Sequence, residues 1–481
     1  MNTEVKTNPT EQGKREITHH ADESTIVIVL YALFISLAFL IATPIALWYT
    51  GGGGFWEGMR KILTSPSELV TDYFALGGLA PTFLNAAVCG LACNAIIVIS
   101  KTKANATTLA GYLLVIAHCF YGLNFLNMWP PFFGVLVYCA VMKKPFRENL
   151  HVSLFSTALA PFVSDVLFRY SIGSFSASET RVTAGGIALS LLFGLAAGFV
   201  VPALLPGTTA MHRGYNMYKA GLAIGLLGVF IYAFMYRTLG VDEPAKIIID
   251  NPGYYALPYA YRGFMNLFFV ALFSFTILGG FILNGKSFLG YRSLLKCTGY
   301  GTDFTDMFGM PLCLINIGIY GLCIVGYLNL IFILPEIMPF LPSGVGFTGA
   351  TVGVTFAALT FAADGQHPRN VYPIVLGYII LFALTCVICA LTRFDMTWTL
   401  STQGYINGLA FATGLCPFSG KYGAKIGILA GFVSAIICTS TAQMHGGFVL
   451  YNGGFNAGLT ALILLPILDF YKITPKYSDD I

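Results

Sequence analysis

The sequence predicts an all-α integral membrane protein made of two homologous helical repeats in inverted orientation, each containing broken or re-entrant helices. Three observations carry that prediction: a composition too apolar for a water-exposed surface, a set of polar and glycine landmarks that occurs twice in one order, and an uneven spread of basic residues over the loops. Of 481 residues, 56% are apolar and 10% charged, and the mean hydropathy is +0.74, whereas soluble chains carry about a quarter charged residues. The 26 Lys and Arg with 22 Asp and Glu cannot coat a soluble body of this size. A membrane span needs about 20 apolar residues, and nearly all of the chain after residue 23 divides into such pieces. The alternating ten-residue pattern of barrel strands is absent, which leaves the helix as the spanning element.

A net charge of +4 spread along the chain excludes a nucleic-acid surface. The 11 cysteines fall mostly in apolar runs, and the pair Cys386 and Cys389 has no second pair beside it, so they read as small buried apolar residues. Residues 1–23 mix both signs with His19 and His20 around no apolar core and read as a cytoplasmic tail. The expected organisation is this tail, a first repeat over 24–236, a linking loop over 237–262 and a second repeat over 263–481.

The duplication is read from landmarks. Thr71-Asp72, Asn85 and Gly90-Leu91 recur 231 residues later as Thr302-Asp303, Asn316 and Gly321-Leu322. Gly122 with Asn127 to Pro130 recurs 243 residues later as Gly365 with Asn370 to Pro373. Thr157 to Phe162 is echoed by Thr413 to Phe418, and Met211-His212 by Met444-His445. Tyr215-Asn216 before Gly221-Leu222 matches Tyr451-Asn452 before Gly458-Leu459, with one extra residue in the second copy. Each copy yields seven apolar segments, near 25–49, 79–100, 106–122, 130–142, 150–168, 183–204 and 217–236, then near 264–285, 310–334, 344–363, 371–392, 398–416, 424–442 and 454–471. Pro130-Pro131, Pro161, Pro373 and Pro417 mark the fourth and fifth of each as broken or re-entrant, because an interior proline frees a carbonyl.

Basic residues favour cytoplasmic loops. Seven crossings per copy would invert the second copy and gather 18 of the 26 basic residues on the side of the amino terminus. Lys143-Lys144 and Arg147 would lie inside, while Arg393 in the equivalent loop would lie outside.

Inverted helical halves place a polar site between them near the bilayer midplane, so candidates are sought among matched polar residues. His212 and His445 could line a route from opposite faces or relay a proton; the structural alternative is that each caps a helix or holds a turn. Asn216 with Asn452, and Asn85 with Asn316, offer donors and acceptors to a solute, or serve as interhelical glue. Thr157 and Thr413 open the Thr-x-Leu-x-Pro-Phe element, whose freed backbone groups could bind an ion. Asp165 and Asp364 lie nearest the broken segments and are candidate coupling carboxylates. Neither a phosphate loop, a metal-spaced ligand set nor a nucleophile elbow is visible, so no cofactor and no metal are expected.

On these elements the chain resembles a bacterial family of duplicated multi-pass membrane proteins of uncharacterised function, which implies an inner-membrane location. It is also faintly similar to urea transporters, through Asn85 with Gly90-Leu91, Tyr215-Asn216 with Gly221-Leu222, and their second copies; the doubled Asn-Pro of that family's pore is missing. That likeness implies a small polar solute. The functional expectation is a transporter or channel-like permease for a small polar or weakly charged solute or ion, with the lipid bilayer and a second copy of the chain as partners. The alternative is a membrane-embedded enzyme acting on a lipid-linked or amphipathic substrate.

Overall fold

The expected apolar segments all form helices in the computed structural model, which describes residues 9–66, 71–171, 174–175, 181–242 and 255–478. Residues 1–8 of the expected tail and 243–254 of the linking loop lie outside the described residues. The helices of the first repeat are α1 (Pro9–Tyr49), α2 (Phe55–Thr64), α3 (Tyr73–Gly77), α4 (Leu79–Ile99), α5 (Ala106–His118), α6 (Trp129–Val141), α7 (Phe146–Ser156), α8 (Ala160–Arg169), α9 (Ala184–His212) and α10 (Lys219–Tyr232). The second repeat holds α11 (Arg262–Leu283), α12 (Tyr291–Leu294), α13 (Phe304–Phe308), α14 (Met310–Phe332), α15 (Leu334–Ile337), α16 (Gly349–Ala358), α17 (Pro368–Thr392), α18 (Gln403–Ala412), α19 (Cys416–Tyr422), α20 (Ala424–Met444) and α21 (Asn452–Phe470). Helix already begins at Pro9, inside the stretch expected as a tail. Strand is confined, among the described residues, to the antiparallel pair Tyr170–Ser171 and Ser174–Phe175.

Ten of the described helices are long and apolar enough to cross a membrane. The loop contacts show how the chain threads. We call the side where α1 starts its apolar run the near face. Thr102, just before α5, donates to the carbonyl of Arg147, in the first turn of α7 beyond α6, at 3.3 Å. The arms α5 and α6 therefore enter and leave on the near face as a re-entrant hairpin. Val345, ahead of α16, likewise bonds the carbonyl of Ser401, beyond α17, at 2.9 Å, so α16 and α17 form the matching hairpin from the far face. Threaded in this way, each repeat makes five crossings and one hairpin rather than seven crossings; the second hairpin is lopsided, since its outgoing arm α17 has 25 residues and is itself long enough to span, whereas the α18–α19 segment is not among the ten. Helices α5 and α6 have 13 residues each, about 20 Å at 1.5 Å per residue, short of the roughly 30 Å hydrocarbon core. Hydropathy registers them as apolar but cannot say that both ends share a side. Five is also odd, so the inversion inferred from the loops holds. Contacts between helix ends agree: Arg213 after α9 pairs with Asp469 at the end of α21 (2.8 Å) on the near face, and Arg169 at the end of α8 donates to the Asp242 carbonyl (2.6 Å) on the far face.

The prolines start helices more often than they break them. Pro130 and Pro131, Pro161 and Pro417 occupy the first turns of α6, α8 and α19, where the missing N–H costs nothing. Only Pro373 of this set is interior, in α17. The breaks are short 3₁₀ turns at Thr157–Leu159 and Thr413–Leu415, and the segments carrying them still run from face to face.

Helix α10 packs along its own counterpart α21, and α5 along α16, so a pseudo-two-fold axis passes between these pairs. A Cβ on Gly221 would lie 2.4 Å from the Gly454 carbonyl carbon; glycine lets the two backbones touch. The core is aromatic, with Phe39, Phe83, Phe120, Phe268 and Phe356 in mutual ring contact across α1, α4, the first hairpin, α11 and α16.

The structure corrects one landmark. Met217 N–H bonds the Gly414 carbonyl and Leu450 N–H the Ala158 carbonyl, each at 3.0 Å. Gly214 and Gly447 carry matching positive φ of 78° and 80°. The displacement here is 233 residues, the same as for His212 and His445, and no residue is inserted. Tyr218, not Tyr215, is the counterpart of Tyr451, and Asn216 and Asn452 are not equivalent. A shared Tyr-Asn dipeptide favoured a register that the backbone hydrogen bonds do not follow.

Candidate functional site between the repeats

Each hairpin turn is held by amides. Asn85, in α4, donates to the carbonyls of Cys119 (2.9 Å) and Leu123 (3.0 Å); Asn316, in α14, donates to those of Ala362 and Gln366, both at 2.8 Å. Asn127 and Asn370 donate to the Gly122 and Gly365 carbonyls at the same turns. Tyr73 N–H and Phe304 N–H bond the carbonyls of Phe120 and Ala363, one from each side connection. These turns have lost their helical partners inside an apolar body, so side-chain amides supply what the backbone lacks. Asn85 and Asn316, expected as solute ligands, are committed to that work. Thr157 and Thr413 donate to the Leu154 and Ala410 carbonyls, each 2.7 Å away, at the 3₁₀ breaks. Thr413 also accepts from Gln366 in the second hairpin turn (2.9 Å).

At the axis the two halves stop being alike. Tyr218 and Tyr451 lie with ring centroids 5.8 Å apart. The Tyr218 hydroxyl donates to the Ala357 carbonyl of α16 at 2.6 Å. Its counterpart hydroxyl on Tyr451 has no partner, nor does that of Tyr121, nor either nitrogen of His118. The His118 ring stands 5.6 Å from that of Tyr121 and 6.2 Å from that of Tyr451. All three residues are buried. Buried polar groups are ordinarily hydrogen-bonded, and each orphan costs about 1–3 kcal/mol, so these three together make the repeat interface the candidate site. Tyr121 also lines a small cavity of about 20 Å³ with Asn407, Thr439 and Asn452, room for one water. Asn452 is tied there to His445, Nε2 to Oδ1 at 2.9 Å. His212 is buried without a ring partner at the near-face end of α9, so the two histidines stand at opposite faces. Asn216 donates to the Gly454 carbonyl (3.1 Å) and fixes the crossing of the repeats.

The two faces also differ. On the far face Asp72 is buried and accepts from Gly349 N–H at the start of α16 (2.7 Å), from Ala256 N–H in the linking loop (2.8 Å) and from Phe74 N–H (2.9 Å). Its counterpart Asp303 on the near face accepts from Thr305 and Asp306 of its own connection. Beside it, Asp364 in the turn of the second hairpin is half-buried. Burial, joined by the Asp303 carboxylate, raises the Asp364 carboxyl to about 7, partly offset by the exposed Lys219 ammonium. Asp306 is pushed up by burial and by the same neighbour. Asp165, the other expected coupling acid, is already paired with Arg169 at 2.7 Å and accepts from the Tyr236 hydroxyl at 2.5 Å. No group of three His, Cys, Asp or Glu among the described residues is arranged to hold a metal.

The sequence missed His118, Tyr121 and Asp72. Asp72 was matched to Asp303 as a landmark without a role. The signal for His118 was a lone histidine inside an apolar segment, and nothing local distinguishes it from a satisfied core residue.

No curated protein and no solved structure matches the chain. A family described as a protein of unknown function, DUF1576, matches it twice, over residues 53–237 and 283–470. Each match begins just past the first crossing helix of a repeat or at its end; the first finishes five residues beyond α10 and the second at the last residue of α21. Two matches that together span well over half of the sequence, and that fall on the two structural repeats, place this chain in the DUF1576 family.

Proposed function

We propose that the protein is a permease that carries a small polar or weakly charged solute between its repeats by alternating access. The observation that carries this reading is the orphaned trio His118, Tyr121 and Tyr451 at the pseudo-two-fold axis, between two hairpins that enter from opposite faces. Two features support it. Asp72 bonds the far-face start of α16, whereas Asp303, among the described residues, bonds only within its own connection and leaves Asp364 accessible from the near face. An exchange of these two arrangements between symmetry-related halves would present the axis to either side, which is the logic of inverted repeats. The excess of basic residues makes the near face cytoplasmic on this reading. The trio holds no carboxylate, ammonium or guanidinium, so it favours solutes that hydrogen-bond over ions that need a counter-charge.

The test is a thermal-stability screen of the purified protein against neutral, anionic and cationic small solutes, since a ligand at 100 times its Kd adds about 2.7 kcal/mol. His118→Phe and Tyr451→Phe are screened beside the double variant His212→Ala, His445→Ala. A hit abolished by either of the first two and kept by the double variant supports the axis site. A hit indifferent to His118 and Tyr451, or no hit at all, overturns it.

A further inference from the structure

The second repeat contains an apolar crevice of about 250 Å³ between α14, α16, α17 and α18. No charged side chain lines it. Its mouth lies between α14 and α17, where Cys323 and Tyr372 are exposed, and its inner end holds Tyr320 and Thr413. Tyr320 is 3% exposed, and its hydroxyl, next to Thr413, makes no hydrogen bond of ordinary length.

The crevice is written into the sequence of one repeat. Ser156 donates to the Pro131 carbonyl at 2.9 Å and pins α6 to α7. Its counterpart is Ala412, which has no hydroxyl to pin α17 to α18. Met128 and Phe132, buried in the first repeat, are replaced by the smaller Val371 and Val375 on the crevice wall, and Tyr112 by Thr355. A wall of this kind gains nothing from the hydrophobic effect when it opens to lipid, because lipid tails are as apolar as the side chains. Selection then rests on the polar groups of the lining, Tyr320, Tyr327, Thr355, Tyr372 and Thr413, of which the Tyr320 hydroxyl is the buried one without a hydrogen bond of ordinary length. An unpaired hydroxyl in hydrocarbon is costly, and the bilayer interior holds no acceptor for it.

We infer that the crevice is a lateral binding site for a neutral single-chain amphiphile taken from the bilayer, with its chain along α14 and α17 and its hydroxyl or carbonyl oxygen at Tyr320. The absence of any cation in the lining argues against phosphate or carboxylate heads, and the absence of any acid argues against ammonium heads. The site is separate from the axis trio and stands whether or not the permease reading does.

The experiment uses the protein in lipid nanodiscs with a dodecanol analogue carrying a mid-chain diazirine; after illumination, labelled peptides are mapped by mass spectrometry. Labelling is expected on peptides covering 320–328 and 368–376, competed by dodecanol and not by dodecyl phosphate or dodecyltrimethylammonium. Tyr320→Phe, which removes the hydroxyl and leaves the ring, should weaken labelling about fivefold, the worth of one hydrogen bond. Ala410→Trp should fill the crevice and abolish it. Labelling spread evenly over the lipid-facing helices, equal competition by the charged analogues, preferential labelling by a chain-diazirine phosphatidylcholine, or no change in Tyr320→Phe would each overturn the inference.

Discussion

Replacing Asp72 with alanine removes the one carboxylate that, among the described residues, ties the far-face connection of the first repeat to the second hairpin. Two of its bonds reach other parts of the chain, Gly349 N–H at 2.7 Å and Ala256 N–H at 2.8 Å. A hydrogen bond to a charged group is worth about 1.5–3 kcal/mol net. Taking the lower figure for each, the pair contributes about 3 kcal/mol. At about 1.4 kcal/mol per factor of ten, the far-face closure constant should fall roughly 100-fold. Hydrogen–deuterium exchange read by mass spectrometry follows this directly. Peptides covering 345–358 and 255–262 should exchange about 100 times faster in Asp72→Ala, while near-face peptides covering 100–110 stay as they are. Asp72→Asn keeps an oxygen for Gly349 and turns an amide toward the Ala256 N–H, so it should fall between. Unchanged exchange at 345–358, or equal acceleration throughout the chain, would refute the view that Asp72 holds the far face shut.

Two further predictions concern the acids. Asp165→Ala takes from the buried Arg169 guanidinium its carboxylate partner in α8 and leaves it the Asp242 carbonyl, a loss of about 3 kcal/mol; the melting temperature should drop, and Asp165→Ala with Arg169→Met should recover much of it, which a thermal melt of the single and double variants checks. Asp364 binds its proton more tightly in the folded state, at about 7, than a carboxyl in the unfolded chain. The folded state therefore holds the extra proton between these values, and its contribution to stability is full at acid pH and lost as pH rises through about 7. Melting temperature measured from pH 4.5 to 8 should show that decline in the wild type and a flatter profile in Asp364→Asn.

Membership of the bilayer, the helical spans and the duplication were legible in the chain because they depend on composition and on residue order alone. The odd number of crossings was legible through the loop charges, and it survived the loss of two crossings per repeat because a hairpin subtracts an even number. That α5 and α6 return to one face was not legible: it depends on Thr102 meeting Arg147, a contact between residues 45 apart. The matched asparagines were found because duplication marked them, yet Asn85 and Asn316 spend their amides on turn carbonyls, a commitment visible only once the turns are in place.

The site itself belongs to tertiary structure. Tyr218 and Tyr451 are counterparts only in the register set by backbone bonds to Gly414 and Ala158, and nothing in a one-dimensional pattern makes one hydroxyl bonded and the other orphaned. The sequence by itself determined an inverted pair of membrane-embedded helical halves, because apolar content, loop charge and repeated landmarks are additive properties of the chain. Which polar groups were consumed in holding the hairpins, and which were left unpaired at the axis, only the tertiary structure decided, since a hydrogen bond exists only when two distant groups have been brought within about 3 Å of each other.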